Sequence, residues 1–114
     1  MRRLALLVLL GVGLVGCNRY SSSTLIFHAG YEASCTAMGD RPFLEIKNRG
    51  PSDVHVDLTV DGGTESSALI AGDGMGRGTS RGPIAARLTS EGDATVEVKA
   101  QRTDGLVVDG PRER

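Results

Sequence analysis

The sequence predicts an all-β protein, a small antiparallel two-sheet sandwich. Three observations carry that prediction. Val54-His55-Val56-Asp57-Leu58-Thr59-Val60 alternates apolar and polar side chains without a break, and Ala94-Thr95-Val96-Glu97-Val98-Lys99-Ala100 does the same. Period-two alternation puts one face of a strand in a core and the other in water. No stretch of ten or more residues shows a 3.6-residue period, so helix is a minor component. Two sheets are required, because one sheet of such strands would leave its Val, Leu and Ile face wet.

Taken in order, the chain opens with a leader. Met1-Arg2-Arg3 is basic, and Leu4 to Val15 contains only Leu, Val, Ala and Gly. A charged start, a short apolar stretch and a small residue at the break form a secretory signal peptide. Twelve residues fall short of the roughly 20 needed to cross a bilayer core. Residues 1–16 are read as the signal peptide and 17–23 as Cys17 plus a polar, Ser-rich tether. The sandwich is assigned to 24–108, and 109–114 to a flexible tail. Leu25-Ile26-Phe27, Leu44 and Ile46, Ala68-Leu69-Ile70, Ile84, Ala86 and Leu88, and Leu106-Val107-Val108 are further strand candidates. Turn residues separate them: Asn48 to Asp53, Asp61-Gly62-Gly63, Glu91-Gly92-Asp93 and Thr103-Asp104-Gly105.

The chain has 114 residues, enough for one domain. Thirteen Lys and Arg face fourteen Asp and Glu, a formal charge of -1. That balance gives no basic face for nucleic acid. Removing residues 1–16 takes Arg2 and Arg3 with it and leaves 98 residues with a net charge of -3. The average therefore supplies no polybasic signal for anionic lipid. Cys35 is then the one thiol left beside Cys17, and it is expected to be a buried small hydrophobe.

Leu14-Val15-Gly16-Cys17 resembles the lipobox of bacterial lipoproteins. The resemblance implies cleavage between Gly16 and Cys17 and a diacylglycerol thioether on the Cys17 sulfur. Two or more acyl chains would hold a soluble domain durably at a bilayer, where one chain holds it marginally. A second resemblance covers residues 44–100. Asn48-x-Gly50, the strand from Val54 into Asp61-Gly62, Leu69-Ile70-Ala71-Gly72 and Gly92-x-Ala94-Thr95-Val96 look like bacterial immunoglobulin-like modules of the CARDB type. This implies an immunoglobulin-like sandwich with an adhesion or scaffold role outside the cytoplasm and no catalytic residues. The family places a strand soon after Ala-Gly; this chain has the glycine-rich segment Gly72 to Gly82 there.

That segment is the candidate contact loop. It is read as a flexible surface loop, with Asp73, Met75, Arg77 and Arg81 as its contact residues. It matches neither a phosphate-cradling loop nor the dinucleotide fingerprint. Arg77 and Arg81 beside exposed N–H groups could hold an anion. His55 and Asp57 share a strand's wet face, but two ligands do not make a closed metal site. No catalytic residues, metal site or cofactor are assigned. The expectation is a lipid-anchored, extracytoplasmic lipoprotein of the cell membrane or outer membrane. It would be a non-catalytic binding or scaffold module for an envelope protein or polysaccharide. The alternatives are a surface inhibitor or exclusion factor against an incoming enzyme or phage component, and a small hydrolase or metal carrier using His28 and His55.

Overall fold

Alternation becomes two faces in the computed structural model, which describes residues 19–114. Nine strands follow one another: β1 (Tyr20–Phe27), β2 (Tyr31–Met38), β3 (Phe43–Pro51), β4 (Val54–Val60), β5 (Thr64–Ile70), β6 (Met75–Thr79), β7 (Ile84–Ser90), β8 (Ala94–Gln101) and β9 (Gly105–Glu113). They form a four-stranded sheet ordered β1-β8-β3-β6 and a five-stranded sheet ordered β5-β4-β7-β2-β9, all pairs antiparallel. The two sheets pack as the predicted sandwich.

Its pairing is nested: β1 joins β8, β2 joins β7, β3 joins β6 and β4 joins β5. That is the double Greek key of a jelly roll, with β9 added beside β2. A constant-type immunoglobulin domain instead orders its strands A-B-E-D and C-F-G. The sandwich class is common to both; the wiring is a finer property.

The core is what the alternating positions supply. Phe27, Leu44, Ile84, Leu88, Val54, Val56, Val96 and Val98 are all essentially sealed from solvent. Ala33, Cys35 and Ala37 of β2 face the same interior. Cys35 is free and buried, as expected. Burial pushes its thiol up to about 12, so the reactive thiolate is almost absent at neutral pH.

Three sequence expectations need correction. The tether is shorter than predicted, because Tyr20 to Ser23 already pair with Gln101 to Val98 of β8. The predicted tail is strand: Asp109, Arg112 and Glu113 pair with β2. The glycine-rich segment is no flexible loop, since Met75–Thr79 is edge strand β6, hydrogen-bonded along β3. The first two strand ends are held by backbone hydrogen bonds, which hydropathy does not report. Gly16, Cys17 and the signal peptide lie outside the described residues.

Asn48 explains why the glycine-rich segment is pinned. It is fully buried near the end of β3. Its amide donates to the carbonyls of Ser52 and Ile70, both at 2.8 Å, and its Oδ1 accepts the Gly50 N–H at 2.8 Å. Its backbone N–H donates to the Gly74 carbonyl at 2.9 Å, and its carbonyl accepts the Asp73 N–H at 2.7 Å. Its side chain thus ties the β3–β4 turn to the end of β5, and its backbone holds the β5–β6 turn. The contact is close. A Cβ at Gly72 would lie 2.9 Å from the Pro51 carbonyl oxygen, and one at Gly74 2.8 Å from that of Ala71.

Candidate functional site

The four predicted contact residues do not form one surface. Asp73 sits in the left-handed region (φ 69°) in the β5–β6 turn, and Arg81 lies beyond the far end of β6. Eight residues separate them, up to about 26 Å of extended chain. Met75 and Arg77 point outward from β6. The Arg77 Nε lies 3.6 Å from Glu45 on the neighbouring strand, so Arg77 is committed to a sheet-face ion pair. A parallel bond pair joins Arg49 to Glu97 at 2.8 and 3.2 Å, and it holds the Glu97 carboxyl below its ordinary range. Both belong to the solvated face of the four-stranded sheet, where such pairs add little stability.

Inward-facing Gly76 and Gly78 of β6 leave a narrow apolar slot of about 80 Å³ between the sheets, lined by Leu44, Ile46, Val56, Leu58, Ala68 and Ile70. Leu58, which lines the slot, is only partly covered. The slot has room for a fragment of a side chain, not for a drug-sized ligand.

A broader surface lies on the outer face of the five-stranded sheet. Register fixes it. Ser34, Arg87, Asp57 and Ser67 stand side by side across β2, β7, β4 and β5. The next row is Thr36, Ala85, Thr59 and Glu65. Ala85 is the small member of its row, and its flanking neighbours Thr36 and Thr59 rise on either side. Together the rows line an open trough of about 420 Å³. Ser67 donates its hydroxyl to Asp57 at 2.6 Å, and Arg87 reaches Glu32 at 3.3 Å. The trough therefore presents hydroxyls, two carboxylates and a guanidinium, whose remaining donors and acceptors face water. Sequence reading saw Asp57 and Thr59 on a wet strand face. It did not bring Ser34, Thr36 and Glu65 to them, because the lining is contributed by four strands, with Ser34 and Arg87 53 positions apart in the chain.

The histidines are separate features. His28 Nδ1 lies 3.1 Å from Asp93 Oδ1, and its ring meets Tyr31 edge-on with centroids 5.1 Å apart. His55 projects from β4 between Leu69 and Thr89. Among the described residues, no group of three or more His, Cys, Asp and Glu converges as a metal site would require.

No family model matches the chain, and no curated protein matches it.

Proposed function

We propose that the protein is a lipid-anchored, non-catalytic binding module of a bacterial cell envelope, and that the trough on its five-stranded sheet contacts an envelope polysaccharide. The trough carries the reading. Its hydroxyls, carboxylates and single guanidinium are the groups that exchange hydrogen bonds with sugar hydroxyls, and its floor at Ala85 is shallow enough for an extended chain. The leader and Leu14-Val15-Gly16-Cys17 support the anchor. The start of β1 at Tyr20, three residues after Cys17, would keep the domain against the membrane, within about 11 Å of the lipidated sulfur.

Mass spectrometry of the native protein is expected to show a chain beginning at Cys17 with added acyl mass, and Cys17→Ser is expected to abolish that mass and release the protein from membranes. An intact Met1, or an N-terminus without acyl mass, overturns the anchor. For the trough, Ala85→Arg raises its floor at an exposed position and is expected to leave the fold intact. Co-sedimentation with insoluble envelope polysaccharide should fall about tenfold, the loss of roughly 1.4 kcal/mol. Unchanged retention would reject the trough as the contact surface.

A further inference from the structure

Five segments meet at the end of the sandwich where β1 begins: Arg19, residues 39–42, 61–63, 80–83 and 102–104. The bonds between them are direct. Arg102 donates its N–H to the Arg19 carbonyl at 2.8 Å, Gly82 donates to that of Asp40 at 2.6 Å, and Arg81 donates to Asp61 Oδ1 at 2.8 Å. Arg41, Arg81 and Arg102 line one open concavity of about 370 Å³ there, with Asp61, Thr79 and Ser80.

The pairing of the arginines singles this place out. Arg19, Arg49, Arg77, Arg87 and Arg112 each lie within ion-pair distance of a carboxylate. Among the described residues Arg41, Arg81, Arg102 and Arg114 have no such partner; Arg114 lies at the other end, and the first three are exposed around the same opening. Like charges gathered at one mouth repel one another, and a bound anion relieves that repulsion. The guanidinium fork fits phosphate oxygens in pairs. Asp61 is the one carboxylate in the lining. Its Oδ1 accepts the Arg81 N–H and, at 3.5 Å, the Ser80 hydroxyl, while Ser80 accepts the Asp61 N–H at 2.7 Å. It is engaged by its own loops and leaves the three guanidiniums uncommitted.

The opposite end has the other sign. Residues 28–30, 52–53, 71–74 and 91–93 contain Asp53, Asp73, Glu91 and Asp93, and the end of β9 brings Arg114 beside them, its N–H on the Gly30 carbonyl at 3.3 Å. The five segments at the first end hold four arginines against Asp40, Asp61 and Asp104, a small positive excess, so the net charge of -3 is unevenly spread between the two ends. The basic end is the one from which the chain runs back to Cys17, two residues or about 7 Å before Arg19.

We infer that Arg41, Arg81 and Arg102 seat the phosphate groups of anionic lipids, so that the domain stands on the bilayer by its basic end. The inference rests on the lipid-anchored reading for its orientation. It is tested without the anchor. All core residues lie from Leu25 onward and β1 begins at Tyr20, so the chain from residue 17 carrying Cys17→Ser contains the whole sandwich. Its partitioning is measured on vesicles of phosphatidylcholine with and without phosphatidylglycerol, at low and high salt. The expected result is a salt-sensitive preference for the anionic vesicles. Each of Arg41→Gln, Arg81→Gln and Arg102→Gln should lower it about fivefold, with unchanged thermal melting. No preference, or one that survives the triple substitution, overturns the inference. Release by excess inorganic phosphate alone also overturns it, because the site would then belong to a free phosphate. Acyl mass on native Cys17 is a separate readout, so loss of the anchor reading and loss of this one are told apart.

Discussion

Phe27→Ala is expected to remove about 3–5 kcal/mol of stability, the usual loss when a sealed aromatic side chain is truncated. Phe27 is fully buried at the end of β1, opposite Ala94 of β8. Its cross-strand neighbour, alanine, is too small to fill the vacated space. A domain of this size has roughly 5–15 kcal/mol in total, so the variant would lose a large part of its margin. Denaturant titration checks it: the midpoint should fall while the slope, which reports surface exposed on unfolding, stays constant. A loss below about 1 kcal/mol would show that the ring does not fill the core.

Asn48→Ala is expected to cost about 3 kcal/mol through a different mechanism. The substitution leaves the carbonyls of Ser52 and Ile70 and the N–H of Gly50 without their partner. Each buried polar group left unpaired costs roughly 1–3 kcal/mol. The damage should be directional. Amide exchange at Gly50, whose N–H loses its acceptor, is expected to accelerate more than exchange along β7 and β8, because the Asn48 side chain joins the β3–β4 turn to β5 and not the sheet centre. Asn48→Asp supplies a sign test. It keeps an acceptor for Gly50 but turns a negative charge toward two carbonyls, which raises the folded-state pKa of the new carboxyl above its unfolded value. Its stability should therefore be greatest at acidic pH and fall as pH rises through that raised value. A flat profile would mean that the side chain has left the site.

These two residues also mark what could be read from the chain alone. Strands β4, β7 and β8 announced themselves because Val, Ile and Leu recur at every second position. Strand β2 did not, because its inward residues are Ala33, Cys35 and Ala37, too small to produce an apolar rhythm. Strand β6 was hidden for the same reason in stronger form: its inner positions are Gly76 and Gly78. Glycines that leave space between sheets look, in a sequence, like glycines in a loop. Asn48 was visible as part of a turn, but its five hydrogen bonds depend on where Ile70, Asp73 and Gly74 return to it. The trough and the arginine cluster were out of reach for a topological reason. Arg41, Arg81 and Arg102 arrive on three different connections, and net charge averages away the two ends they distinguish.

The nested wiring has a consequence for how the protein is made. Strand β1 has no neighbour in its sheet until β8 exists, and β2 has none until β7 exists. The hairpin of β4 and β5 is the single nested pair whose strands are adjacent in the chain. A nascent chain halfway to its end is therefore an open thread with almost nothing to zip against, and long-range pairing of this kind is slow to form. Closure of the sandwich is deferred until residues near Gln101 are available to β1.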